Sequence, residues 1–246
     1  MPAATVAVPH SANSPYRNRL LGLLDQQDGS LLSPDLEHVE LALSDRLEQQ
    51  GRPINFVYFI EEGFGSIIAK MAPGRDAKAG ILGHKGMTGT VVVLGDNLAP
   101  HDCVVQLAGE AMRIPIAPFH EALEQSPTLR LFLLLRAIPD GADQLHRSHA
   151  NARQGLESRL ARWLLLCEDR AGPELKLTRE FLSIMLGVRR PGVTVAIEVL
   201  EGNGLIRATR GKIVIRDWEG LIKLADGSYG PPEAEYERLI GSSPLR

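Results

Sequence analysis

Near Pro118 the hydrophobic period of this chain of 246 residues changes from that of strands to that of helices, and that change calls for two different kinds of domain. Ahead of it, short apolar and β-branched runs recur at Val57 to Ile60, Gly65 to Ala69, Thr90 to Leu94, Cys103 to Leu107 and Ala111 to Ile116. Turn-forming clusters separate them: Gly51-Arg52-Pro53, Glu61-Glu62-Gly63, Ala72 to Asp76 and Gly95-Asp96-Asn97. Many short strands at near-regular spacing predict an antiparallel barrel or jelly roll. Two short helices are expected ahead of it, at Tyr16 to Leu24 and Pro34 to Val39, the second opened by Ser33 as N-cap. The first 15 residues lack periodicity and read as a tail.

Beyond Pro118 the spacing is helical. Phe119 to Gln125 forms a short helix stopped by Ser126-Pro127, and a longer stretch runs from about Thr128 to Arg170. A kink or break is expected at Pro139 and Gly141. The stripe Ile138, Ala142, Leu145, His149, Ala152 and Leu156 then follows the alternating three- and four-residue spacing of a coiled-coil seam. Its narrowness favours a dimer seam, the alternative being a helix packed on its own β-domain.

The formal charge of −3 is a sum of unlike parts. Residues 1–146 carry −6, residues 147–216 carry +6 and residues 217–246 carry −3. A basic block inside an acidic chain is a candidate polyanion footprint, or simply a solvated face. No run of apolar residues is long enough for a membrane span, and the N-terminus lacks the pattern of a secretion signal, so a cytoplasmic location is expected. Cys103 and Cys167 are too few for a disulfide framework or a Cys-only metal site.

The most informative stretch is Leu177 to Ile206. Thr178 is a plausible N-cap for a first helix that buries Phe181, Leu182, Met185 and Leu186. Gly187 can end that helix in the left-handed conformation, and Val188 plugs the angle. Arg189-Arg190-Pro191 opens a second helix that buries Val193, Ile197 and Leu200. Two strands follow, Leu205 to Ala208 and Lys212 to Ile215, with Thr209-Arg210-Gly211 as the turn. This is a winged helix-turn-helix, and the exposed N-terminal end of its second helix is the part that enters a major groove. Arg189, Arg190 and Thr194 stand there as candidate base or phosphate contacts. Thr178 and Arg179 at the start of the first helix suit a phosphate, as do Arg210 and Lys212 at the hairpin tip. The plainer alternative is a helical hairpin with solvated cations.

These residues resemble the Crp/Fnr superfamily of bacterial transcription regulators. The resemblance extends through Val57 to Gly63, Gly83 to Gly89, Val105 to Ile114 and Glu157 to Leu165. It implies an α+β fold: a cyclic-nucleotide-binding-like β-roll (jelly roll) at residues 16–126, a long dimerisation helix at 127–170, a C-terminal winged helix-turn-helix at 171–225 and a tail at 226–246. It further implies a homodimer on a pseudo-palindromic operator of double-stranded DNA, with RNA polymerase as a further candidate partner. Cyclic-nucleotide-binding members hold the phosphate with a Gly-Glu pair and a later Arg-Ser or Arg-Thr pair. Here Gly89 is followed by Thr90, the later segment is Pro100-His101-Asp102-Cys103, and Asp102 would repel a phosphate. Cyclic-nucleotide binding in the usual way is therefore not expected. The iron–sulfur members' cysteine cluster is absent too. In the second helix Arg190 matches a base-contacting arginine, whereas Pro191 and Val195 replace a glutamate and a second arginine, so a different operator is expected.

Gly86, Gly89, Thr90, His101 and Asp102 mark the candidate pocket of an unidentified small-molecule effector. Gly83, Gly86 and Gly89 beside Lys85 allow a phosphate cradle or merely tight turns. His146 and His149 have a metal-compatible spacing but read as scattered histidines, so no metal or cofactor is expected. No catalytic constellation is present, which speaks against an enzyme. The other reading is a ligand-binding or interaction scaffold of the same fold that does not bind DNA.

Overall fold

The computed structural model of the chain describes residues 14–69, 77–135, 148, 150–171 and 174–241. The expected tail up to residue 13, the kink at Pro139 and Gly141, and Ile138, Ala142, Leu145, His146 and His149 lie outside them. Helices α1 (Arg19–Leu23) and α2 (Gln26–Leu32) lead through a 3-10 turn (Ser33–Asp35) into strands β1 (Glu37–Leu41), β2 (Arg46–Glu48), β3 (Phe56–Ala69) and β4 (Ala77–Leu82). Helix α3 (Thr90–Leu94) precedes β5 (Asp102–Pro115), after which α4 (Ile116–Gln125) and α5 (Pro127–Leu135) close the first unit. The strands form one antiparallel sheet in the order β1-β5-β3-β4, with β2 also paired to β5.

Three expectations need correction. Thr90 to Leu94 is a helical turn, not a strand. Gly89 and Gly95, both at positive φ, bracket it, and Val92 and Val93 are buried against the helices. The β-branched run signals burial here rather than pleating. Pro34 to Val39 is not a helix either. Pro34 belongs to the 3-10 turn, and Glu37–Leu41 pairs in register with Arg113 to Gly109 of the long central strand. Finally, Glu61-Glu62-Gly63 is no turn between strands. It is an irregularity within the continuous β3, with Gly63 at φ 78°, the left-handed backbone that a β-bulge places on glycine. A bulge and a turn share the same residue signature, so the sequence pattern could not tell them apart.

Helix α1 is held by the fully buried Asn18. Its side-chain oxygen accepts from Leu20 N and Leu21 N at 3.0 and 3.3 Å, and its amide donates to the carbonyls of Ile60 and Gly86 at 3.0 and 2.8 Å. One residue thus ties the N-terminal helix to the sheet and to the glycine-rich loop. The first core packs Val57, Phe59, Ile114, Phe119 and Leu129 against Leu20 and Leu32. A smaller one inside the roll holds Leu41, Ile60, Cys103 and Val105.

Beyond residues 150–153, which are helical, the helix breaks at Gln154 and Gly155. Helix α6 (Leu156–Ala171) then begins the second unit, followed by β6 (Glu174–Leu175), α7 (Arg179–Leu186), α8 (Arg190–Gly202), the hairpin β7 (Ile206–Thr209) and β8 (Lys212–Ile215), and α9 (Trp218–Leu224). Strand β6 adds to β8, making a three-stranded wing. A short helix α10 (Pro231–Tyr236) and a π-helical turn (Glu237–Gly241) return the chain to the first unit, where Tyr236, Leu239 and Ile240 join the core of α1 and α5. No helix among the described residues is long and apolar enough to cross a membrane.

The bulged pairing of β3 with β5 leaves no room at Gly109: a β-carbon there would overlap the Glu62 carbonyl. Gly109→Ala is expected to lower stability by about 1–3 kcal/mol, the usual cost of overpacking. The urea midpoint should fall at unchanged m. An unshifted midpoint would contradict this close approach.

Candidate nucleic-acid interface and sensor cluster

The helix pair α7–α8 is built by local chemistry. The Thr178 hydroxyl accepts from Phe181 N at 3.0 Å and caps α7, as its position before the apolar face predicts. Gly187, at φ 65°, ends α7, and Val188 N donates back to Ser183 O at 3.0 Å. This reversal needs the left-handed backbone that costs a β-carbon-bearing residue roughly 1–2 kcal/mol. Helix α8 buries Val193, Ala196, Ile197 and Leu200 against α6 and α7. Its N-cap, Arg189, supplies no side-chain cap to the first turn.

Arg189 and Arg190 are exposed at that end, and Arg190 pairs with Glu180 of α7. Both partners are well exposed, so the pair is worth little and leaves the guanidinium free to exchange partners. Thr194 Oγ1 donates to Arg190 O at 3.2 Å. The pair spans the opening turns of α7 and α8, with Arg179 and Thr178 one and two residues before Glu180. Arg210 is exposed at the wing tip and Lys212 half-buried beside it. Glu201 near the end of α8 accepts from Ala208 N at 2.9 Å, which fixes the wing against that helix.

Two arginines of α6 were not singled out by sequence reasoning. Arg159 donates to the carbonyl of Leu186, the last residue of α7. Arg162 is only 2% exposed, and its Nε donates to Ser228 O at 2.9 Å, holding the segment that follows α9. A cation set among apolar neighbours, as in Leu160-Ala161-Arg162-Trp163-Leu164, is the sequence signal for such a role. Of the seam residues within the described set, Ala152 is exposed, whereas Leu156 packs on the α6–α8 core.

The candidate effector residues are already engaged with the protein itself. Gly86 O accepts from Asn18, and Gly89 N donates to Glu48 Oε1 at 2.6 Å. Glu48 Oε2 lies 3.5 Å from His101 Nδ1. Asp102 is buried, accepts from Gln50 N at 2.7 Å, and faces Arg46 Nη1 at 3.6 Å. Thr90 is half-buried at the start of α3. The structure thus brings His101 and Gly89 together through Glu48, a residue that the sequence did not single out. It lies in the polar stretch Asp45 to Gln50, where no local pattern marks it out. A cleft of about 310 Å³ opens beside it, lined by residues that include Arg46, Glu48, Arg52, Asn55 and Tyr58.

Burial pushes the Glu48 carboxyl above its ordinary value, the Gly89 N–H partly opposing the shift. Burial also raises the Cys103 thiol, aided by Glu48 and Asp102, and pushes Cys167 up to about 12, so both thiols are neutral and inert. The glycine loop abuts the second unit. Lys85 Nζ is 3.3 Å from Asp169, His84 Nδ1 is 3.3 Å from Arg170 O, and a β-carbon on Gly83 would overlap the Arg170 side chain. Phe64 of β3 and Phe181 of α7 meet with ring centroids 6.0 Å apart.

Residues 158–224 match the family model of the Crp-like helix-turn-helix domain. A Crp/Fnr-family transcriptional regulator of Thermus thermophilus is similar at 24% identity and TM-score 0.60, over 78% of this chain and 100% of that one. The c-di-GMP-responsive global regulator CLP of Xanthomonas campestris is similar at 16% identity and TM-score 0.63, over 78% and 99%. FixK2 of Bradyrhizobium japonicum gives 14% identity and TM-score 0.63, over 77% and 96%. No curated protein sequence matches the chain.

Because the raised carboxyl of Glu48 disfavours its charged form, its ionisation destabilises the fold as pH rises through the raised value. Below its ordinary value of 4.5 that cost is absent. Glu48→Gln keeps an acceptor for Gly89 N and removes the charge. It is expected to melt higher than the parent at pH 7.5, with the gap closing as pH falls toward the ordinary value. A variant melting lower at pH 7.5 would show that the charge is needed.

Proposed function

We propose that this chain, a Crp/Fnr-type transcription regulator by its Crp-like helix-turn-helix domain and its fold, binds a two-fold pseudo-palindromic operator as a homodimer. The observation that carries the reading is the α7–α8 geometry. A glycine-broken helix pair buries one face of α8 and leaves its uncapped, arginine-bearing N-terminal end to solvent. That end is the part of a helix-turn-helix that reads base edges in a major groove. Arg190 is assigned to base reading, since an arginine can grip guanine O6 and N7 together. Arg189 and Thr194 flank it. Thr178, Arg179, Arg210 and Lys212 are assigned to phosphates, which fix register rather than sequence. The proteins that the chain resembles are regulators, not enzymes.

Two copies would join through the stripe that includes Ala152, placing half-sites about one helical turn, roughly 34 Å, apart. A promoter-bound dimer would present RNA polymerase as its protein partner. The β-roll is assigned a sensing role for a ligand other than a conventionally bound cyclic nucleotide. In support, Glu48 already takes the Gly89 N–H and Asp102 adds a second carboxylate nearby. Any effector must then act by differential affinity for two arrangements of the units.

Selection of duplexes from a random pool, followed by titration of the preferred site, tests the reading. Arg190→Ala is expected to cost about 1–3 kcal/mol on that site, and Arg210→Ala to weaken all duplexes alike while lowering the salt slope by about 1. Equal affinity for every duplex, with Arg190→Ala silent, would leave a scaffold that does not read DNA.

A further inference from the structure

Helix α8 presents an apolar residue where a soluble helix ordinarily presents a polar one. Val193, Ala196, Ile197 and Leu200 are buried on one arc. At about 100° per residue, Pro191, Val195 and Glu198 fall on the opposite arc, farthest from the core. Arg190 and Thr194 occupy one shoulder of that arc. Val195 is 55% exposed and Val199, one turn on, is 41% exposed. Packing does not account for Val195, which faces solvent. Helix propensity does not either, since valine is poorer in a helix than the polar straight-chain residues. The surroundings are cationic: Arg179, Arg189, Arg190, Arg207 and Arg210 are all exposed on the same small unit.

On the DNA-binding reading above, Val195 faces the floor of the major groove. The apolar group that base edges offer there is the thymine C5 methyl. We infer that Val195 is a specificity-determining residue that packs against a thymine methyl in each half-site, with Pro191, four residues earlier, extending the same apolar strip. Arg190 then supplies the hydrogen-bonded part of the code from the shoulder, and Val195 the methyl-reading part from the crest. Val195 carries no donor or acceptor, so it distinguishes thymine from a base without the methyl by burial alone.

The test uses the full chain and its preferred duplex, selected from a random pool. Thymines of each half-site are replaced one at a time by deoxyuridine, which keeps every hydrogen-bonding group and removes only the methyl. One position per half-site is expected to lose about fourfold in affinity, the contribution of one buried methyl. Val195→Ala should bind the thymine and uracil duplexes equally, with an unchanged salt slope. Val195 lies outside the core, so this variant keeps every buried contact of α8, and its helical circular dichroism checks the point. If the parent protein ignores every such replacement, or Val195→Ala retains the thymine preference, the inference is overturned while DNA reading stands. If the parent prefers no duplex over any other, the function proposed above fails together with it.

Discussion

Helix α6 is the element on which the rest of the molecule depends. Leu160, Ala161, Trp163, Leu164, Leu165, Leu166 and Cys167 are all buried, so the helix is covered on every side rather than along one stripe. A helical segment buried all round, as Leu160 to Cys167 is, must be enclosed by neighbouring elements. Here α7, α8 and α9 cover it as the reader, and Phe64 and Ile81 of the sheet join the same core. Arg159 and Arg162 then direct their cations to carbonyls of α7 and of the segment after α9. The position of the arginine-bearing end of α8 is therefore set by the packing of one buried helix, and through Phe64 and Phe181 it is set relative to the β-roll.

The two units touch at further points. The loop from Gly83 to Gly89 is bonded at one end to Asn18 and Glu48 and rests at the other on Asp169 and Arg170 of α6. Asp169 also accepts from Tyr229 at 3.0 Å, and the tail beyond it returns to α1, where Arg19 pairs with Glu237 and lies over the Tyr236 ring. A change of charge or ligation at Glu48 thus acts on a loop in contact with the reader's central helix. Contact of this kind makes coupling mechanically available; coupling itself is a difference in free energy between two arrangements.

The reader was legible in the sequence because its signals are local. The Thr178 cap, the Gly187 reversal, the buried faces of both helices and the wing turn at Gly211 each depend on residues within a few positions of one another. The β-roll was legible as a class but not in detail. Gly63 marks a bulge by the same residue that would mark a turn, and Thr90–Leu94 is β-branched because it is buried, not because it is extended. The sensor cluster was half legible. His101 and Asp102 stood out against the family pattern, but Glu48 lies 41 residues from Gly89 and meets it only through the fold. Arg162 was hidden for the same reason, its partner Ser228 being 66 residues away.

The central claim is that the N-terminal end of α8 reads base edges in the major groove. Methylation interference on a duplex selected from a random pool tests it most directly, because dimethyl sulfate marks guanine N7, an acceptor on the major-groove edge. The account predicts that methylation of a guanine in each half-site abolishes binding, with the two blocked positions on one face of the duplex about one helical turn apart. Binding that is indifferent to N7 methylation throughout the site would contradict it.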